Sequence, residues 1–380
     1  MAHHPLALGC ALAATLLGAG LPARAAIILA GADAAADVRM KQEAHRAGAR
    51  HRSVVGIYLL GRAAWPPVGT GTGVYIGPNA KGDKGLILTA AHLFRSEPRK
   101  GGRIVLAFGS DLATSHPVNA ERVLIHPGFT PGGQPALPGA EEKLSRMEVD
   151  TLVDLALVEF DLAAHAKALA DRGVTAADLW EGKEEPDPTV VTGEMVGFGV
   201  FGTTRNTVDA TNVRVHAGNT LVSHTVYCGR RLFINWAPVP HEVARQLEAG
   251  AQGPALLFQF EPAETPIEAQ DPSGRDRHRL QTHRNHAVPA HGDSGGPLFL
   301  ETPDGPRVAG INSRSENCVL IRSDTQARIR AIASIWEPLT DHLLWIQGVR
   351  AGVPGLARVL EVGPGLPAPE GETKSWCVIL

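Results

Sequence analysis

The sequence predicts an all-β fold, a closed barrel or a pair of barrels, on three observations. The chain of 380 residues contains 42 glycines and 28 prolines, which is above average usage and suits short strands joined by tight turns. Short apolar runs rich in β-branched residues recur along the chain, separated by Gly, Pro and Asn. The clearest amphipathic helix pattern is confined to the C-terminal part, and no repeat of fixed period is present.

Composition allows a sizeable core and gives no reason to expect a nucleic-acid partner. Hydrophobic residues make up 44% and charged residues 20% of the chain, and the formal net charge is −3. A net charge so close to zero does not point to nucleic acid or an anionic membrane as a partner. Its length is enough for one large domain or two of medium size.

The first half carries six predicted strands, which alternate with turns and glycines. Because the apolar and β-branched runs are short, each is interpreted as a strand. These strands are 53–60, 69–76, 85–89, 103–108, 118–125 and 155–160.

The second half is less regular. Strands are predicted at 190–200, 256–260 and 308–313, and helices at 163–172, 176–181 and 338–349. The polar residues 261–285 are rich in Pro, Asp, Arg and His and are predicted to form an exposed loop.

Residues 1–25 are predicted to be a secretory signal. An apolar run at 6–21 is followed by Ala23-Arg24-Ala25, which fits a cleavage site between small residues. The first residues contain no Lys or Arg, so an uncleaved anchor remains an alternative. We expect a secreted or periplasmic protein without a membrane span after signal removal.

The remaining chain divides into an N-terminal segment at 26–52, a main domain at 53–350 and a Gly/Pro-rich tail at 351–380. Insertions into the main domain are expected near 126–145, 162–188 and 218–285. Of the four cysteines, Cys10 falls within the signal and three remain. Either one pair forms, with Cys228 and Cys318 preferred and Cys377 left over, or none does.

The run Gly292-Asp293-Ser294-Gly295-Gly296-Pro297 indicates a presented nucleophile. A serine hydroxyl attacks only when a base lies beside it and backbone N–H donors stabilise the developing oxyanion. Glycines allow the tight turn that such a geometry needs. The alternative, an ordinary Gly/Asp/Ser turn, explains Gly-Asp-Ser-Gly but not the longer run.

Two other segments supply the partners that Ser294 would need. His92 ends the apolar segment Leu88-Thr89-Ala90-Ala91-His92, and Asp154 begins Asp154-Leu155-Ala156-Leu157. Each residue alone has an ordinary explanation, as an exposed histidine or a turn aspartate. Asp150 is a rival to Asp154, which is preferred because the apolar strand follows it directly.

These three segments, in the order His, Asp, Ser, resemble the trypsin-like (chymotrypsin-fold) serine peptidases, in a bacterial-type exported form. Gly310-Ile311-Asn312-Ser313 resembles the strand after the nucleophile in that family, and Leu344-Trp345-Ile346 resembles its closing helix. The resemblance spans about residues 53–350. It implies two antiparallel six-stranded β-barrels with a C-terminal helix and an active site in the cleft between them.

The resemblance also implies roles for single residues. Ser294 would attack the scissile carbonyl, His92 would act as general base and then acid, and Asp154 would orient the imidazole. The N–H groups of Gly292 and Ser294 would form the oxyanion hole. The substrate would be a protein or peptide and the enzyme a monomer, with no cofactor and no metal, since the 16 histidines show no ligand spacing.

Two other functions share these residues. An inactive binding protein would keep the fold without turnover. An esterase would use the same acyl transfer, although the chain lacks the Gly-x-Ser-x-Gly elbow of the α/β-hydrolases.

By the same resemblance, Val288, Ser313 and Ser315 line the substrate pocket. Val288 stands where trypsins carry an aspartate that binds Arg or Lys, so specificity for basic residues is not expected. A small or medium apolar side chain is the expectation from Val288, while Arg314 could attract an acidic group.

Asp293 needs a partner, because a buried carboxylate without one is costly. In trypsins its counterpart pairs with a new amino terminus. Ala26-Ile27-Ile28-Leu29-Ala30-Gly31 resembles that terminus only loosely, so a local donor is the alternative.

Overall fold

The first half of the chain forms a closed six-stranded antiparallel barrel. In this computed structural model the strand order is β19-β6-β5-β2-β3-β4-β7, and an additional β6–β7 pairing closes the ring. Strands are numbered in chain order: β2 Val54–Leu60, β3 Gly69–Pro78, β4 Lys84–Thr89, β5 Arg103–Phe108, β6 His116–Ile125, β7 Ala156–Asp161 and β19 Arg358–Glu361.

The structure describes 16 separate stretches of the chain. They are residues 27–28, 51–61, 67, 69–95, 102–109, 115–129, 153–182, 192–199, 202–203, 215–220, 223–227, 230–238, 267–270, 277–280, 287–289 and 291–362. The predicted signal, Asp150, Cys228 and Cys377 lie outside these residues.

The second half is built on a nine-stranded sheet, in which β8, β16, β17, β18 and β12 pair in succession and these four pairings are antiparallel. Its strands are β8 Thr192–Gly197, β10 Val215–Thr220, β11 Ser223–Tyr227, β12 Arg230–Pro238, β13 Ile267–Gln270, β14 Arg277–Leu280, β16 Pro297–Thr302, β17 Gly305–Arg322 and β18 Arg328–Pro338. A separate three-stranded sheet has the order β15-β1-β9, with β1 Ile27–Ile28, β9 Gly202–Thr203 and β15 Ala287–Val288. The predicted all-β class is confirmed, and the first of the two predicted six-stranded barrels is closed; the second is shown only in part, as the nine-stranded sheet.

Two α-helices are described. Helix α1, Leu162–Asp171, follows β7 directly, and the Asp161 side chain caps it by accepting the Ala164 N–H at 3.1 Å. Helix α2, Leu343–Arg350, packs Trp345, Ile346 and Val349 inward. None of the helices within the described residues is long and apolar enough to cross a membrane.

Strands β3, β4 and β7 bury both faces, which explains why their sequences are apolar without alternation. Ile87 and Val158 point into the barrel, whereas Leu86, Leu88 and Leu157 pack outward. The outward cluster joins them to Phe299 and Ile311 of the second sheet and to helix α2; its other buried members include Val54, Val74, Val196, Val308, Leu339 and Trp345. One apolar layer therefore holds the two halves together.

Three segments differ from the sequence-based expectation. Residues 176–181 are not a helix: the Trp180 N–H donates to the Val308 carbonyl and the Val308 N–H donates to the Asp178 carbonyl, so pairing with β17 overrides local helix propensity. Within 261–285, expected to be a loop, β13 and β14 form a hairpin. Within 351–380, expected to be a tail, β19 pairs with β6.

Phe160→Ala tests the barrel core. The Phe160 side chain is fully buried, and its ring lies 5.9 Å from that of Tyr75 and 5.5 Å from that of Phe108. The truncation should lower the free energy of unfolding by about 3–5 kcal/mol, as measured by chemical denaturation. Leu344→Ala, at a side chain 85% exposed, is the control and should change it by less than about 0.5 kcal/mol. Equal effects would contradict the described packing.

Candidate active site

His92 is held at the end of β4 by a short helical turn. The chain leaves β4 at Thr89, whose hydroxyl donates to the Thr72 carbonyl at 2.6 Å. It then enters a 3₁₀ helix, Ala91–Phe94, in which Ala91 and Phe94 are buried. The small side chains of Ala90 and Ala91 are both fully buried and let this turn pack closely. The His92 imidazole then faces Asp154.

Asp154 receives three hydrogen bonds just before β7. The His92 backbone N–H donates to Oδ1 at 2.7 Å, the His92 Nδ1 lies 2.6 Å from Oδ2, and the Ser313 hydroxyl donates to Oδ2 at 2.7 Å. A carboxylate only accepts hydrogen bonds, so Nδ1 carries the proton. In the neutral ring Nε2 is then an acceptor, which is the tautomer that a general base requires.

The environment of Asp154 keeps it ionised although it is fully buried. Burial alone would raise the pKa of this carboxyl, but the attraction of His92 and the hydrogen bonds from His92 and Ser313 outweigh burial and hold the pKa below its usual value of 3.8. The side chain of Asp154 has no exposed surface, and that of His92 is 21% exposed. The charge is thus fixed beside an imidazole that solvent or substrate can reach.

Glu337 is a further contact of Asp154 that sequence reasoning missed. Its carboxylate, fully buried at the end of β18, accepts the Asp154 backbone N–H at 3.3 Å. Glu337 belongs to the second half of the chain, so the segment carrying Asp154 is fixed from both sides. Only its complete burial in the fold distinguishes Glu337, since a charged residue is rarely buried without a partner.

The Ser294 loop is fixed by backbone hydrogen bonds to both halves. The Thr72 N–H donates to the Ser294 carbonyl, and the Gly295 N–H donates to the Asn312 carbonyl, each at 2.8 Å. Gly292 and Gly295 have φ of +94° and +82°, where a side chain would be strained. A Cβ at Gly295 would also overlap Thr89, so the loop lies directly against the segment leading to His92.

The backbone donors expected to form the oxyanion hole have no acceptor among the residues that the structure describes. Within the described part of the chain, the N–H groups of Gly292 and Ser294 donate to no other atom. The Gly292 carbonyl is instead held by the Thr72 hydroxyl at 2.7 Å, and that hydroxyl accepts the Phe198 N–H at 2.9 Å. Two N–H groups on a fixed loop without internal partners are what oxyanion stabilisation needs.

The Ser294 hydroxyl makes no hydrogen bond to the His92 ring among the described residues. The structure therefore brings His92, Asp154 and Ser313 into direct contact and places the Ser294 backbone beside the His92 segment. The bond between nucleophile and base is often long in a free enzyme and shortens when substrate binds.

Asp293 is buried and has a local donor. Its Oδ1 accepts the Gly199 N–H at 3.1 Å, and a Cβ at Gly197 would overlap this oxygen. The backbone of Ile27–Ile28 pairs with Ala287–Val288 a few residues upstream in the chain. A local donor and a nearby N-terminal strand are thus both present.

The residues expected to line the substrate pocket are Val288, Ser313 and Ser315. Val288 is fully buried in β15, and Ser315 donates its hydroxyl to the Pro289 carbonyl at 3.3 Å. The Ser313 hydroxyl donates to Asp154, as described above. Arg314, between the two serines, is buried.

No group of three or more His, Cys, Asp or Glu side chains within the described residues is arranged to hold a metal ion. The His116–His165 pair, 3.1 Å apart, has only two members.

The chain was compared with protein families, curated proteins and solved structures. No family model matches the chain, and no curated protein matches it. One solved structure, described as a scabies mite inactivated protease paralogue, S-D1, is similar at 13% identity over 82% of this chain and 95% of that chain, with a TM-score of 0.40. A similarity this distant carries no argument about activity, and inactivation is a property of that mite protein.

Thr72→Val should loosen the Ser294 loop. The substitution keeps the shape but removes the hydroxyl that links the Gly292 carbonyl to the Phe198 N–H. Leaving two buried groups without a partner should lower the free energy of unfolding by about 1–3 kcal/mol. Thr72→Ser, which keeps the hydroxyl, should lose less than half as much. A loss in Thr72→Ser as large as or larger than that in Thr72→Val would contradict the expected dominance of the two hydrogen bonds over the methyl contacts.

Asp154→Asn tests the charge of the buried carboxylate. Because its folded pKa is below the unfolded value, the ionised group stabilises the fold above the unfolded pKa, and that stability is lost as pH falls through the folded pKa. The difference in unfolding free energy between wild type and Asp154→Asn should be largest above about pH 5 and shrink below about pH 4. Denaturation across pH 3–7 measures it. A difference that grows towards acid pH would contradict the assignment.

Proposed function

We propose that this chain is an exported serine endopeptidase that hydrolyses peptide bonds through an acyl-enzyme on Ser294. The observation that carries the proposal is the contact of buried Asp154 with partly exposed His92, beside a loop whose Gly292 and Ser294 N–H groups have no acceptor among the described residues. Export is proposed from the signal pattern at 1–25. The substrate would be a protein or peptide, and the enzyme would act as a monomer.

Each residue has a defined part in this reaction. His92 Nε2 removes the proton of the Ser294 hydroxyl as Oγ attacks the scissile carbonyl carbon. The carbonyl oxygen gains negative charge and accepts hydrogen bonds from Gly292 and Ser294. Asp154 stabilises the imidazolium, which then protonates the leaving amine. Water, activated by the same imidazole, hydrolyses the ester and restores the Ser294 hydroxyl.

An inactive binding protein on the same fold is the second candidate. One observation favours it, namely that the Ser294 hydroxyl and the His92 ring share no hydrogen bond within the described residues. An esterase is distinguished from a peptidase by the substrate alone, since acyl transfer to water is common to both.

Ser294→Ala and His92→Ala should each lower turnover of a peptide substrate by about 10⁴–10⁶-fold, because nucleophile and base act as one unit. For the same reason the double variant should be no slower than either single variant. Wild type should react with a fluorophosphonate probe at Ser294, and Ser294→Ala should not. Unchanged thermal unfolding of Ser294→Ala is the control for folding, because that substitution leaves the partners of buried Asp154 in place.

If wild type neither reacts with the probe nor cleaves a mixed peptide library, the binding-protein candidate replaces the peptidase. If wild type hydrolyses activated esters but no peptide, the esterase candidate replaces the peptidase.

A further inference from the structure

Thr72 of β3 makes four hydrogen bonds that join three segments of the site. It is fully buried. Its N–H donates to the Ser294 carbonyl at 2.8 Å, and its hydroxyl donates to the Gly292 carbonyl at 2.7 Å. The same hydroxyl accepts the Phe198 N–H at 2.9 Å, and the Thr72 carbonyl accepts the Thr89 hydroxyl at 2.6 Å. One residue thus connects the Ser294 loop, the segment after β8 and the end of β4.

The strand pairing explains why Thr72 meets the Ser294 loop. Strand β4 ends at Thr89, which lies opposite Gly73 in the β3–β4 ladder. Thr72 lies one residue beyond this last pair, so β4 does not take up its backbone N–H and carbonyl. The Ser294 carbonyl and the Thr89 hydroxyl bond to these two groups instead. The Ser294 loop therefore continues along the edge of β3 that β4 leaves open.

Two of these contacts hold the peptide units on either side of a proposed oxyanion donor. The Gly292 carbonyl belongs to the peptide unit before Asp293, and the Ser294 carbonyl belongs to the unit after Ser294. The Ser294 N–H lies in the unit between them and has no acceptor among the described residues. Because each peptide unit is planar, fixing both neighbouring units also restricts the direction of this N–H.

Gly292 carries the other proposed donor and depends on the Thr72 hydroxyl for its conformation. Its φ is +94°, and a glycine leaves such a conformation at little cost because it has no side chain. A Cβ at this position would lie 2.7 Å from the Gly199 Cα, so a larger residue does not fit without movement. The hydrogen bond from Thr72 to the Gly292 carbonyl therefore supplies the restraint that a packed side chain would supply elsewhere.

We infer that Thr72 is a positioning residue for the oxyanion donors, on which its hydroxyl acts through the Gly292 carbonyl. This inference rests on the proposed function and deepens it by adding a buried residue from the first barrel. Negative charge on the substrate oxygen develops only in the transition state, so displaced donors slow the chemical step without weakening substrate binding. Loss of the hydroxyl should therefore lower kcat and leave KM nearly unchanged.

Three variants of Thr72 and a matched control test this role in the full chain. Thr72→Val removes the hydroxyl and keeps the shape, Thr72→Ser keeps the hydroxyl, and Thr72→Cys introduces a thiol that donates only weakly. Thr302→Val is the control, because the Thr302 hydroxyl also donates to a backbone carbonyl at 2.7 Å, that of Gly305 in the β16–β17 turn. Complete reaction with the fluorophosphonate counts the active sites, so misfolded molecules do not enter kcat.

The expected losses follow from how far the donors move. Thr72→Val should lower kcat per active site for a peptide substrate by about 10–100-fold, the scale for reacting groups displaced by about 1 Å. Its KM should stay within about twofold of wild type, because substrate binding is not affected. Thr72→Ser should keep kcat within about threefold of wild type, and Thr72→Cys should fall between the other two variants. Thr302→Val should leave kcat unchanged.

The inference is overturned if Thr72→Val retains the wild-type kcat per active site, if Thr72→Ser loses as much as Thr72→Val, or if the loss appears in KM. If Thr72→Val does not fold, Thr72→Cys carries the test, and a wild-type kcat in that variant overturns the inference. When wild type labels and cleaves while the Thr72 variants keep their kcat, this inference alone is refuted. A wild type that neither labels nor cleaves refutes the proposed function before any variant is compared, and this inference with it.

Discussion

The Asp154 carboxylate is the interaction on which the described site depends. It is fully buried and is satisfied by His92 from the first barrel and Ser313 from the second half. A buried ion without such partners would be strongly destabilising, so the charge requires both halves to meet in one arrangement. The same contacts that make the charge tolerable also orient the imidazole. Stability and the proposed chemistry therefore share one set of hydrogen bonds.

Other polar contacts between the halves converge on the same region. Thr72 in β3 bonds to the Ser294 loop through both its N–H and its hydroxyl. His51, just before β2, lies 2.7 Å from the Glu194 carboxylate on β8. These contacts border the apolar layer around Leu88, Phe299 and Ile311. Non-directional apolar packing holds the two halves together, while the directional hydrogen bonds fix the position of Ser294 relative to His92.

Much of the first barrel could be predicted from the sequence because its strands are short apolar runs between clear turns. The Asp154–His92 contact could also be predicted, since each residue follows or precedes such a run. Glu337 and Thr72 could not, because their partners lie far away in the chain and their own sequence surroundings are unremarkable. The hairpin β13–β14 was interpreted as a loop because its residues are polar, and only pairing with β17 makes it a strand pair.

The central claim is that Ser294, His92 and the two backbone donors converge on one reacting carbonyl. A crystal structure of the chain after reaction with a fluorophosphonate measures this directly. The account predicts phosphorus bonded to Ser294 Oγ and the phosphoryl oxygen within about 2.7–3.1 Å of the Gly292 and Ser294 nitrogens. His92 Nε2 should lie within hydrogen-bonding distance of Oγ. A label on another residue, or an imidazole bonded to Asp154 but out of reach of Oγ, would contradict it.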